Sequence, residues 1–166
     1  MICLPDPDAS VIARRASIVR ALRGLVAPAN VIEDDVRLAA YETDAMTAYR
    51  RRPLAVVLPE TTAEVAAILD YADREGVKIV PRGAGTSLSG GAIPAEDAIV
   101  VGLGKFNRIL DIDYANRCVV AQSGVTSSTP STLFVVKPYF KQCTPPEFSA
   151  TLPPIVQAIW LEGSGA

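Results

Sequence analysis

Leu54-Ala-Val-Val-Leu-Pro-Glu-Thr-Thr-Ala-Glu-Val65, followed by the helix-like run from Ala66 to Gly76 and then Val77-Lys-Ile-Val-Pro-Arg-Gly-Ala-Gly-Thr-Ser-Leu-Ser-Gly-Gly91, is the stretch on which the fold turns. Leu54 to Leu58 is a short apolar run rich in β-branched residues and closed by Pro59, which predicts a buried strand. Thr61 and Glu64 stand at capping-box spacing, where a hydroxyl accepts from an orphan amide and a carboxylate reaches back to the cap. Val65, Ile68, Leu69 and Ala72 then share one helical stripe, with Glu64, Asp70, Asp73 and Arg74 outside it. Gly76 supplies a left-handed residue to stop that helix. Val77 to Val80 reads as a second strand, so residues 54–80 are expected to form a strand-helix-strand unit with parallel strands and a right-handed crossover.

Working outward, Ala98 to Leu103 is a third strand candidate, and Ile109 to Asp113 pairs with Cys118 to Gln122 across the polar turn Tyr114-Ala-Asn-Arg117. Toward the amino terminus, apolar positions from Ala9 to Leu25 recur at three- and four-residue spacing and predict one amphipathic helix, ended by Gly24 and Pro28. Asn30 to Thr43 reads as an irregular connection. Arg50-Arg51-Arg52 reads as a solvated basic edge or as a surface for an acidic partner. Beyond Thr126 the periodicity fades, and six of the thirteen prolines fall there, which breaks any long helix or central strand. The expected division is a helical extension over 1–48, a ligand-binding portion over 49–126 and an atypical Pro-rich tail over 127–166, disordered or frame-disrupted.

Pro81 to Gly91 carries the chemistry. Gly83, Gly85, Gly90 and Gly91 free the backbone to take left-handed conformations and to bring successive N–H groups to an anion. Thr86, Ser87 and Ser89 add hydroxyl donors, and Arg82 can offset negative charge. A loop leaving the carboxyl end of a strand in an open α/β sheet lies where ligands bind. A plain surface turn has no use for so many donors between buried strands. A phosphoryl-transfer loop of the Walker type needs a lysine after its last glycine, and Gly91 stands there instead. A dinucleotide fingerprint needs a third glycine where Leu88 stands, and a helix opening at once.

Composition removes other classes. The 166 residues are 49% hydrophobic and 20% charged with a formal charge of −2, so no broad positive field draws nucleic acid. The chain has no histidine, which excludes Ser-His-Asp and Cys-His catalysis, histidine-ligated metals and histidyl-flavin bonds within it. Cys3, Cys118 and Cys143 form no pair with metal-ligand spacing, and no metal is expected. Acidic residues precede the first apolar run and no stretch reaches the roughly 20 apolar residues that a bilayer needs, so the expected location is the cytoplasm.

The loop resembles the diphosphate-binding segment of the FAD-linked oxidases of the vanillyl-alcohol oxidase and p-cresol methylhydroxylase type. The likeness extends, in consistent order, through Tyr41-Glu-Thr-Asp44, Arg52-Pro-Leu-Ala-Val-Val-Leu-Pro-Glu-Thr-Thr-Ala-Glu-Val65 and Val119-Val-Ala-Gln-Ser-Gly-Val-Thr126. It is similar to the opening of the glycolate oxidase D-subunit group, which includes FAD-dependent D-lactate and D-2-hydroxyglutarate dehydrogenases. The resemblance implies an α+β fold: a small parallel βαβ subdomain, then the start of a mixed or antiparallel second subdomain, together an incomplete FAD-binding domain of the p-cresol methylhydroxylase type. It implies that Arg82, Gly83, Ala84, Gly85, Thr86, Ser87, Gly90 and Gly91 surround the diphosphate, with Gly124, Val125 and Thr126 near the cofactor. Thr86 stands where some relatives carry a flavin-linking histidine, so FAD is expected without a covalent bond.

The implied activity is oxidation of a small 2-hydroxy acid, of the glycolate or D-lactate type, to a 2-oxo acid. The family's later segments are not recognisable after Thr126, so the chain is expected to be an amino-terminal fragment, inactive alone, whose catalytic residues lie in an absent cap. Other oxidase subunits are implied partners and would hold the protein at the inner face of the membrane. A non-catalytic remnant or interaction module, and a nucleotide binder for phosphoryl transfer, are the competing expectations.

Overall fold

The computed structural model describes residues 6–113 and 118–125. The chain forms two units, one ending at Leu103 and the other beginning at Gly104. The first is organised by a four-stranded sheet whose strands are β1 (Val31–Ile32), β2 (Ala55–Val57), β3 (Lys78–Arg82) and β4 (Ala98–Gly102), in the spatial order β1-β2-β4-β3. β4 is parallel to both β2 and β3, with Val56 opposite Val100 and Ile79 opposite Ile99, and β1 pairs antiparallel with β2. β2 and β4 are buried along their whole length, as continuous apolar runs become when both faces of a parallel sheet are covered. β3 lies at the edge, where Pro81 removes no ladder hydrogen bond that a neighbour needs.

Among the described residues four α-helices accompany the sheet: α1 (Ala9–Ala13), α2 (Arg15–Leu25), α3 (Asp35–Leu38) and α4 (Thr62–Glu75). α4 forms for the reasons its sequence gives. Thr61 Oγ1 accepts from the Glu64 amide at 3.2 Å and Glu64 Oε2 accepts from the Thr61 amide at 3.2 Å. Gly76 closes the helix at φ 66°, in the left-handed region. Ile68 and Ala72 are buried, while Val65 and Leu69 are half-buried. α2 packs on α4 through a face containing the buried Ile18, Val19 and Leu22. Each such large apolar side chain contributes about 1.5–3 kcal/mol when fully buried. One buried cluster joins Ile32, Leu38, Val56 and Val100, with Tyr41, Leu58 and Val80 packed against it.

Three expectations are revised. The helix foreseen over Ala9 to Leu25 is broken at Arg14, whose ψ is 7°. Arg14 reaches Glu75 and Arg15 reaches the carbonyls of Leu54 and Glu33, tertiary bonds that helical spacing does not encode. The stretch read as irregular, Asn30 to Thr43, contains β1 and α3, and Asp34 caps α3 by accepting from the Arg37 amide. Strand β3 runs on through Pro81 and Arg82, so the loop starts at Gly83. The two strands flanking α4 are parallel as expected, with β4 between them.

The second unit contains β5 (Ile109–Asp113) and β6 (Cys118–Ala121), paired antiparallel with an irregularity between Ile109 and Asp111. The turn foreseen at 114–117 and the Pro-rich stretch after Val125 lie outside the described residues.

Candidate functional site

Because β2, β4 and β3 run parallel, their carboxyl ends share one edge of the sheet, and the Gly-rich loop leaves from β3 at that edge. Its shape depends on two glycines in the left-handed region, Gly85 at φ 74° and Gly90 at φ 79°. Gly85 is constrained twice. A Cβ there would stand 2.2 Å from Arg82 Nη2 and 2.6 Å from Cζ, so a side chain at this position would displace the guanidinium beneath it. At Gly90 the nearest atoms, Ile93 Cδ1 and Met46 Cε, lie at ordinary contact distances of 3.5 and 3.8 Å, and only the backbone angle selects glycine.

Arg82 is buried, at 8% exposure. Its Nη1 donates to the carbonyls of Thr43 at 2.8 Å and Ala92 at 3.4 Å, and its Cζ sits 5.5 Å from the centre of the Tyr41 ring. Burial lowers its pKa from the ordinary value, and Tyr41 and Asp44 act in the opposite direction. The arginine that sequence reading directed to the diphosphate is thus engaged with the far end of its own loop and with a segment 39 residues upstream.

Ser87 Oγ accepts from the amides of Ser89 at 3.4 Å and Gly91 at 3.3 Å, which folds the far half of the loop around this hydroxyl and leaves its proton to donate. The Gly90 carbonyl accepts from the Ile93 amide. Among the described residues, the amides of Gly83, Ala84, Gly85, Thr86, Ser87 and Leu88 have no hydrogen-bond partner within the protein. Gly83, Ala84, Thr86 and Leu88 are exposed. A succession of unpaired, accessible N–H groups on a backbone turned by a left-handed glycine is chemically an anion-binding concavity.

The segment below the loop carried a motif but no role in the sequence reading. Tyr41, Thr43, Asp44 and Met46 all come to Arg82 or Gly90. No local signal announces this, since contacts across some 40 residues are made by the fold. Gly124 and Val125 belong to the second unit. There the Gly124 amide donates to the Phe106 carbonyl at 2.7 Å and the Val125 amide to the Gln122 carbonyl at 3.1 Å, so both are used within that unit. Thr126 lies outside the described residues.

Comparison with known proteins now bears on this loop. The family described as FAD binding domain matches residues 53–134. Glycolate oxidase subunit GlcD of Escherichia coli strain K12 is 43% identical over 122 residues, which are 74% of this chain and 23% of that protein. The mitochondrial D-2-hydroxyglutarate dehydrogenase of Arabidopsis thaliana is 38% identical over 95 residues, 57% of this chain and 17% of that protein. This chain therefore spans less than a quarter of the length of either relative. In fold it is similar to p-cresol methylhydroxylase with substrate bound, with a TM-score of 0.66 and 21% identity, over 78% of this chain and 25% of that one. The 4-ethylphenol oxidase of Gulosibacter chungangensis gives 0.65 and 23%, over 80% and 26%. Residues 53–134 thus match the FAD binding domain family, in a chain related to glycolate oxidase subunit GlcD and D-2-hydroxyglutarate dehydrogenase.

Proposed function

We propose that this chain supplies the diphosphate-binding part of a flavoprotein that oxidises a small 2-hydroxy acid, of the glycolate or D-lactate type, to the 2-oxo acid. The observation that carries the reading is the run of six unpartnered amides from Gly83 to Leu88, at the carboxyl end of a parallel strand and turned by Gly85. The relatives named for glycolate and D-2-hydroxyglutarate supply the substrate class. When bound, FAD would supply the redox chemistry, that of a hydride acceptor.

The residues of this chain bind and orient. Backbone amides of Gly83, Ala84, Gly85, Thr86 and Ser87 receive the diphosphate oxygens, the hydroxyls of Thr86 and Ser87 donate further, and Gly90 and Gly91 let the loop close without side chains in the way. Arg82 contributes by holding the loop's shape. Gly124, Val125 and Thr126 belong to the same FAD-binding portion, 49–126. This chain makes no histidyl bond to the cofactor, since it contains no histidine and Thr86 stands at the loop position where some relatives carry one. Partner oxidase subunits complete the enzyme.

Purified chain mixed with FAD and passed through gel filtration should carry a flavin absorption band. Gly85→Asp should lose it, because the carboxylate both displaces Arg82 and repels the diphosphate. Equal flavin in wild type and variant would refute the loop assignment.

A further inference from the structure

Beneath the loop lies an acid that the binding reading does not use. Asp44 is buried, at 5% exposure, and its Oδ1 accepts from the Met46 amide at 2.8 Å. Its Oδ2 is buried and, among the described residues, has no hydrogen-bond partner. Leaving a carboxylate oxygen in that condition is costly unless something else favours the charge. The neighbouring acid cannot take over, because Glu42 is engaged with Arg50 and Arg52. Asp44 follows directly on Thr43, whose carbonyl accepts from Arg82, and its charge acts on that guanidinium. Met46, held by Asp44, lies against Gly90.

We propose that Asp44 is a positioning residue of the phosphate loop: its buried carboxylate is the counter-charge that keeps Arg82 seated under Gly85, so that backbone amides rather than the guanidinium meet the bound diphosphate. This rests on the diphosphate reading of the loop and deepens it. Two opposite buried charges interact strongly where water is excluded, even without touching. With Asp44 in place the layer under the loop is close to neutral. Neutralising Asp44 leaves the arginine's positive charge uncompensated, which weakens the ligand-free fold and strengthens the pull on an anion above it.

The test is a titration of the whole chain with FAD and, separately, with inorganic pyrophosphate, for wild type and Asp44→Asn, alongside thermal unfolding with and without pyrophosphate. Asp44→Asn keeps the shape and an acceptor for the Met46 amide. It should unfold at a lower temperature than wild type when ligand-free, bind both ligands about three- to fivefold more tightly at low salt, and recover more of its stability when pyrophosphate is added. A residue needed only for structure would lose stability and weaken binding together, so the sign of the affinity change is decisive. Asp44→Ser, which also retains an acceptor without charge, serves if the asparagine variant does not fold. Unchanged or weaker binding by a folded neutral variant overturns the role given to Asp44. Wild type that binds neither FAD nor pyrophosphate overturns the phosphate-loop reading itself, and this proposal with it.

Discussion

Gly83 and Gly85 stand two residues apart in the same loop and make opposite demands. Among the described residues a Cβ at Gly83 meets nothing within 4 Å, whereas at Gly85 it meets a buried guanidinium and an unfavourable positive φ. In urea unfolding of the ligand-free chain, Gly85→Ala should therefore cost about 1–3 kcal/mol, and Gly83→Ala should stay within about 0.5 kcal/mol. Equal costs would show that Arg82 is not fixed beneath the turn. The glycines and hydroxyls of this loop were legible in the sequence because their chemistry is local: a left-handed backbone and donor groups can be read from residue types. The seat of Arg82 was not. Beside four glycines it reads as a free cation, and only the fold brings the Thr43 carbonyl and the Tyr41 ring to it.

At the scale of elements, α4 was the most legible part, since a capping box, an apolar stripe and a terminal glycine are all short-range signals. Thr61→Ala removes the acceptor for the Glu64 amide and should cost about 1 kcal/mol. Ile68→Ala empties a fully buried site on α4 and should cost about 2–5 kcal/mol. Chemical denaturation resolves the two. A loss at Thr61 as large as that at Ile68 would contradict the ranking of packing over capping in this helix. The break at Arg14 and the placement of β4 between β2 and β3 were hidden, because they follow from bonds and pairings between distant segments. Strand β1 was hidden for another reason: two residues are too few to show a period.

At the scale of the molecule, Asp97 ties the amino-terminal segment to the sheet of the first unit. Its Oδ2 accepts from the Asp8 amide at 2.8 Å and from Lys78 Nζ at 2.6 Å, and the residue is 1% exposed. Burial opposes its charge, but the Lys78 ammonium and the Asp8 amide outweigh that, so the carboxyl titrates below its ordinary value of 3.8. A carboxyl lowered in the folded state stabilises above its unfolded pKa and loses that contribution as pH falls through the folded one. Asp97→Asn should thus cost about 1–2 kcal/mol near pH 6, discounted for the half-exposed Lys78. The gap should close as the pH is lowered below about 4. A gap independent of pH would contradict the ion pair. Among the described residues no helix is long and apolar enough to cross a membrane.

Amide hydrogen exchange across residues 82–91, followed by mass spectrometry with and without FAD, tests the central claim most directly. The amides of Gly83 to Leu88 should exchange fast in the free chain and slow on adding FAD or pyrophosphate, while adenosine, which lacks the diphosphate, leaves them unchanged. Flavin retained by the chain with no slowing in this loop, or amides already protected before any ligand is added, would contradict the account.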